Sequence, residues 1–553
     1  MMKTLTALLS LLLIVGSIGT GYSFEKINDP RLGYYDVQHY DLTMGFDFLA
    51  RTFTGKNIVQ AQSLRPLSEF VICASQQTIK IDSVRYLKKA IPFLQTDDYL
   101  TVNLQGTVRN GEVFSVSIYY HGRSSFQGQY ETGGIFIDLV KGLGRVATSS
   151  EPNFAHRWWP CKDVPDDKAT VSVHMTIPGN LTGISNGILK SVDRTPGTAT
   201  YNWETKNPIA TYLVSVTVGN YRLFTSTYTG LKGEQMKMYF YVFPEDYEKA
   251  KIDFENTGEI IKFFATKFGE YPFLNEKFGF VEVSGGLTME NQTICSIEDR
   301  MIGGDNHAEN TFVHEIAHHW WGNLITPKNW IHSWLNEGFA TYAEALYREH
   351  LEGIVGYHQY MNSLMNVKNG RYEGSVIGQS DTSYWDAFSM RVYNKGGIIL
   401  HMLRGIMGDD KFFQAMRNYI ANPKYRYANA ETDDFINECE LVYGSSLRWF
   451  FNEWVYAYTP TIDRPEYSYD WNSAPSGNSY DVKLNILQKT TSLLLYKMPM
   501  NITVSTESSI ANFAIVDSLA SQNFIFQTAD KPRFIELDKA GWIFKTVTKT
   551  GAN

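Results

Sequence analysis

The feature that most restricts what this chain can fold into is the run Thr311-Phe312-Val313-His314-Glu315-Ile316-Ala317-His318-His319-Trp320-Trp321. His314 and His318 are four positions apart. On a helix their imidazoles project from one face, where they can share a metal ion. Glu315 is rotated off that face and is placed to act as a base on water instead of as a ligand. This is the HExxH arrangement, and it requires a helix. A catalytic zinc takes three protein ligands and keeps a fourth position open. Eighteen residues separate His318 from Glu337, which stands in Trp334-Leu335-Asn336-Glu337-Gly338-Phe339-Ala340 at the start of a second amphipathic pattern. That second helix can lie against the first and complete the set His314, His318 and Glu337. Two imidazoles and one carboxylate suit tetrahedral zinc, so one zinc ion is expected. His319 points off the ligand face and reads as packing, and His332 and His401 read as structural.

The rest of the chain changes character twice. From Phe24 to about Val218, segments such as Tyr40–Met44, Val113–Tyr120 and Thr170–Ile177 alternate or are β-branched, with turn residues between them. From about Tyr247 to Tyr458 apolar residues recur at helical spacing, in Phe254–Phe268, Thr311–Asn323, Leu335–His350 and Lys395–Met407. From Pro460 onward short alternating strands return, as in Tyr480–Leu487, Tyr496–Val504 and Arg533–Asp538. A chain of 553 residues exceeds one core. The expected fold is multidomain α+β: an N-terminal β domain over 24–218, a mainly α catalytic domain over 219–460 and a small C-terminal β-sandwich over 461–553.

Lys3, the apolar run Leu5–Ile18 and the small residues Gly19, Gly21 and Ser23 read as a signal peptide over 1–23, and hence as export to a periplasm or the medium. A signal anchor is the alternative, but the run is shorter than the ~20 apolar residues that span a bilayer, so no stable membrane insertion is expected. The net charge of −8 argues against nucleic acid as a partner. Cys73, Cys161, Cys295 and Cys439 match no CxxC metal pattern, and their pairing stays open. The sequons at Asn180, Asn291 and Asn501 matter only in a source that glycosylates on export. Oligomeric state is not readable.

The run His314–Ala345 resembles the signature HExxHx18E of the aminopeptidase N family of gluzincin zinc metallopeptidases, including Trp321-Gly322-Asn323-Leu324 and Trp334-Leu335-Asn336-Glu337-Gly338. Pro160-Cys161-Lys162-Asp163-Val164-Pro165 resembles the family's Pro-Cys-x-Asp-x-Pro segment, and Tyr212-Leu213 with Gly219 resembles its strand leading into the catalytic domain. The resemblance covers roughly Tyr35 to Pro460. It implies a saddle-like N-terminal β-sandwich and a thermolysin-like catalytic domain. It also implies aminopeptidase activity on peptides with a free N-terminus.

Site residues follow from the same resemblance. The family's Gly-x-Met-Glu-Asn segment matches Met289-Glu290-Asn291, with Leu287 at its usual glycine position. There it lines the substrate groove, and the Glu290 carboxylate would bind the α-ammonium. Glu151, in Ser149-Ser150-Glu151-Pro152, would be a second amine anchor, although the family's usual Gln is absent at Ser149. Tyr393, in Tyr393-Asn394-Lys395-Gly396, resembles the phenol that stabilises the oxyanion. The C-terminus departs from the pattern, with strands where larger members carry a helical domain. A thermolysin-like endopeptidase shares the metal ligands but has no use for Glu290. The resemblance also admits a hydrolase of an epoxide lipid, to which no residue here points, and the intact ligand set argues against a metal-free binding scaffold.

Overall fold

The computed structural model describes residues 27–125, 133–286, 288–366, 372, 374–380, 383–458, 464–489 and 494–549. The expected leader at 1–23, Leu287 and the expected boundary at 460 lie outside them. The chain forms two compact units. The first runs to Trp330 and takes in Ile420–Glu431; the second holds Ile331–Ser380, Trp385–Tyr419 and Thr432 onward.

In the first unit an eight-stranded sheet is built around Tyr35–Asp47, which pairs antiparallel with Thr52–Ser63 and parallel with Thr170–Pro178. Its buried residues are Tyr35 and Val37, then Tyr40, Leu42 and Met44. The alternation changes phase because a bulge between Val37 and His39 inserts a residue and turns the later side chains back to the core. Four-stranded and three-stranded sheets complete this β-rich part.

A further four-stranded sheet follows, in the order Arg222–Thr229, Gln235–Val242, Phe278–Val283, Cys295–Glu298. Phe278–Val283 has parallel neighbours on both sides and is buried at every position, as a strand covered on two faces must be. The expected helical stretch over 254–268 holds the helix Thr257–Phe268, and a separate short helix, Tyr247–Asp253, precedes it. The Phe254 ring packs against Phe280 of the sheet and Phe312 of the helix Glu309–Ala317, at 4.8 and 5.2 Å between centroids. That aromatic contact seats the histidine-bearing helix on the sheet.

The histidine-bearing helix is shorter than its pattern suggests. It ends at Ala317, where His319 and Trp320 donate to the carbonyls of Ile316 and Ala317 and tighten the last turn. Gly322 then takes φ 123°, which turns the chain into the strand Ile325–Pro327. The apolar residues beyond Ala317 pack as a loop. His318 keeps helical angles (φ −55°, ψ −22°), so the one-turn spacing to His314 survives.

In the second unit the stretch Trp334–Met365 is two helices in succession, the first ending close to the expected His350. Gly353, at φ 69°, is the non-helical joint between them, and Tyr357, Met361 and Leu364 bury the part beyond. The helix Gly396–Met407 meets the start of the first at a glycine pair. A methyl group added at Gly338 would sit 2.9 Å from the Gly396 Cα and 3.2 Å from the Val392 carbonyl oxygen. From Glu466 on, sheets of four and three strands pack face to face, with Phe513 stacked on Phe526 at 4.5 Å and the Tyr469 hydroxyl donating to the Ile535 carbonyl. The order is therefore β-rich, helical, then a C-terminal β region, as the sequence pattern suggests. Among the described residues no helix is long and apolar enough to cross a membrane.

Candidate metal and substrate site

His314 sits on the last turn of Glu309–Ala317 and His318 caps its end, with ring centroids 4.7 Å apart and planes at 78°. Both are buried, as is Glu337. The Nδ1–H of His318 donates to the Trp321 carbonyl at 2.9 Å, which leaves Nε2 as its ligating nitrogen. Glu337 lies in the first turn of Trp334–Met365, where the exposed backbone N–H groups favour a carboxylate. One ligand atom from each of His314, His318 and Glu337 lies within 4.8 Å of the others.

Two further groups share these residues. Glu290, Glu315 and His318 offer ligand atoms within 4.8 Å of one another, and so do Glu151, Glu290 and Glu337. These three overlapping groups draw on four carboxylates and two imidazoles, all buried except the half-buried Glu151. Buried like charges are expensive unless cations neutralise them. The donor set fits one divalent metal on the His-His-Glu group, with anionic capacity left at Glu290 and Glu151 for a second, organic cation.

The Glu290 segment is held from several sides. Met289 exchanges backbone hydrogen bonds with Ser296 at 3.0 and 2.9 Å, and the Asn291 amide donates to the Ser296 hydroxyl at 3.0 Å. Asn323 Nδ2 donates to the Glu290 carbonyl at 2.9 Å. Thr293 adopts φ 67°, a conformation that costs a β-branched residue roughly 1–3 kcal/mol. It is pinned there by its N–H donating to His319 Nε2 (3.1 Å) and by the Gly187 N–H donating to its hydroxyl (2.9 Å). Lys277 Nζ also reaches that hydroxyl, at 3.4 Å. Burial pushes the His319 imidazole down to about 3, so it stays neutral: Nδ1–H donates to the Glu315 carbonyl and Nε2 accepts from Thr293.

Glu151 is half-buried and adjoins Ser150, whose carbonyl accepts from the Phe154 N–H and whose hydroxyl accepts from Trp158 Nε1. Tyr393 lies in the π-helical turn Arg391–Lys395 directly before Gly396–Met407. Such turns recur at functional sites. The glycine pair brings this turn against the residue that follows Glu337. The sequence places Asn323 and Lys168 in segments that resemble the family without giving either a role, and it does not single out Thr293. Their roles carry no sequence signal, because hydrogen bonds formed only in the folded chain connect them.

The chain matches the model of the Peptidase family M1 domain over residues 252–454 and that of the Peptidase M1 N-terminal domain over 36–213. It belongs to the M1 peptidase family. Among relatives of this M1 chain, Aminopeptidase M1-D of Oryza sativa subsp. japonica is 24% identical over 448 residues, covering 76% of this chain and 49% of that protein. The Leucyl aminopeptidase of Saccharolobus solfataricus is 23% identical over 438 residues, covering 76% and 53%. The chain thus spans about half the length of the curated relatives it matches. The crystal structure of Legionella pneumophila aminopeptidase A in complex with aspartic acid superposes with a TM-score of 0.79 at 18% identity, over 94% of this chain and 60% of that one. A variant of an M1 zinc metallopeptidase from Deinococcus radiodurans superposes with a TM-score of 0.65 at 22% identity, over 77% and 95%. At these identities the structures speak for the fold.

Proposed function

We propose that this M1 peptidase is a zinc-dependent aminopeptidase that releases single residues from peptides with a free N-terminus. The observation that carries this reading is the gathering of the Glu151 and Glu290 carboxylates beside Glu337 of the His-His-Glu group. An endopeptidase has no need of two further carboxylates there, whereas an α-ammonium bound between them places the first peptide bond next to the metal. The names of the relatives, aminopeptidases of plants and archaea, support the same reading.

His314, His318 and Glu337 would hold a zinc ion, which would supply Lewis acidity toward water and the scissile carbonyl. Glu315 accepts the proton as the water oxygen bonds to the carbonyl carbon. It returns that proton to the amide nitrogen as the C–N bond breaks. Tyr393 donates a hydrogen bond to the oxyanion of the tetrahedral intermediate. Glu290 and Glu151 hold the ammonium, and Met289 and Asn291 flank Glu290 in the segment along which the substrate lies. Leu5–Ile18 with Lys3 supports export of the enzyme to a periplasm or the medium.

A panel of aminoacyl fluorogenic amides, each free and N-acetylated, with and without chelator, tests the assignment. Free substrates should be cleaved at least about a hundredfold faster than acetylated ones, a discrimination of the size that an unpaired buried charge imposes. Chelator should abolish cleavage and added zinc restore it. Internal cleavage of an acetylated peptide at the rate of the free one would make the chain a thermolysin-like endopeptidase instead. A protein that holds no metal and cleaves nothing would be a binding scaffold.

A further inference from the structure

We propose that Asn323 is a positioning residue that fixes the distance between the metal ligand His318 and the amine-binding residue Glu290, and with it the one-residue register of cleavage. The inference rests on the aminopeptidase reading above and adds the part that sets the register. Asn323 is fully buried and bonds in both directions. Its backbone N–H donates to the carbonyl of His318 at 2.9 Å. Its side-chain Nδ2 donates to the carbonyl of Glu290 at 2.9 Å. One residue thus spans from the backbone of a metal ligand to the backbone of the amine anchor.

The span is braced. The carbonyls of Asn323 and Leu324 accept from Lys168 Nζ at 2.8 and 3.0 Å, which holds the turn after the histidine helix against the β-rich part of the chain. Trp321, two residues earlier, gives its carbonyl to His318 Nδ1, so the same turn orients the ligand ring. A second tie runs parallel to the first, from the Thr293 N–H to His319 Nε2. On the far side the Glu290 segment is fastened to Cys295–Glu298 by the paired bonds of Met289 and Ser296. The Glu290 backbone is therefore clamped between a strand and the Asn323 amide. Without the amide, the Glu290 carbonyl loses its direct tie to the turn after the histidine helix.

The contribution of such a residue appears in how the free amine is recognised. The ammonium contact is present in both ground state and transition state, so its misplacement raises KM more than it lowers kcat. A general loss of structure would instead lower the active fraction and leave KM alone. The experiment compares wild-type chain, Asn323→Ala and Asn323→Asp, each checked for metal content, on one aminoacyl fluorogenic amide in free and N-acetylated form. The Asp variant keeps the shape but offers the Glu290 carbonyl no amide donor.

Metal content should be unchanged in both variants. KM for the free substrate should rise about tenfold or more, and the preference for free over acetylated substrate should fall by a similar factor, since displacements of about 1 Å cost up to a hundredfold. Lys168→Met, which acts only through the turn, should shift KM in the same direction by less, and it carries the test if the Asn323 variants do not fold. Metal-loaded variants with wild-type KM and wild-type preference would overturn the inference alone. A wild-type enzyme indifferent to acetylation would overturn the functional reading and this inference with it.

Discussion

Glu315 is one residue beyond a metal ligand, buried, and grouped with Glu290 and His318 rather than with His314 and Glu337. That placement separates proton transfer from ligation. Glu315→Gln keeps the size and removes the base, so it should retain wild-type zinc content and lower kcat by about 10²–10⁴-fold. Metal analysis alongside steady-state turnover checks this, and near-normal turnover would remove Glu315 from the mechanism. The sequence shows the His314–Glu315–His318 trio because a single helical turn fixes its geometry. It shows Glu337 through a spacing, and Glu290, Glu151 and Tyr393 only through resemblance to a family. The roles of Asn323 and Lys168 were not legible. Their hydrogen bonds span 33 and 155 residues of chain, and no local pattern encodes a partner that far away.

Elements were legible by kind and less so by extent. Helical periodicity in Thr311–Asn323 continues through Trp320 and Trp321, yet the helix stops at Ala317 because Gly322 permits a positive φ and the tryptophans bury as well from a loop. At Gly353 a positive φ ends the first helix close to its expected end, and a second helix follows at once. The contact between Gly338 and Gly396 is the clearest case of an element set by what is absent. Gly396→Ala would push a methyl to 2.9 Å from the Gly338 Cα, a backbone atom that cannot swing aside. It should destabilise the protein by about 1–3 kcal/mol in urea unfolding, the usual penalty of overpacking. It should also lower kcat, because Tyr393 and Glu337 flank the contact.

At the scale of the whole molecule, the β, α, β order is visible in the sequence, whereas the docking of distant segments is not. His401 is fully buried between the Tyr357 hydroxyl (2.8 Å) and the Gly541 carbonyl (2.9 Å), with Trp542 stacked on its ring at 4.9 Å. The pair of partners fixes a neutral ring: Nε2–H donates to Gly541 and Nδ1 accepts from Tyr357. Burial pushes the imidazole down to about 3, below the ~6.5 of an unfolded chain. The folded state therefore disfavours the proton. The stability contributed by the neutral ring is full above about pH 6.5 and is lost as pH falls towards 3, by up to about 1.4 kcal/mol per unit. Thermal melts from pH 8 to pH 5 should show a shallower decline in His401→Gln than in the wild type, and identical slopes would mean that His401 is not held neutral.

The same contact has a consequence for how the protein is made. His401 and Gly541 are 140 residues apart, so at ~5–20 residues per second a ribosome delivers the second about 7–28 s after the first. During that interval the helix Gly396–Met407 exists without Trp542 and Phe544, whose rings and backbone cover His401, Gly405 and Met402 in the finished fold. The nascent chain thus presents an uncovered apolar helix face to whatever surrounds it. Trp542 and Phe544 close that face when they pack on it.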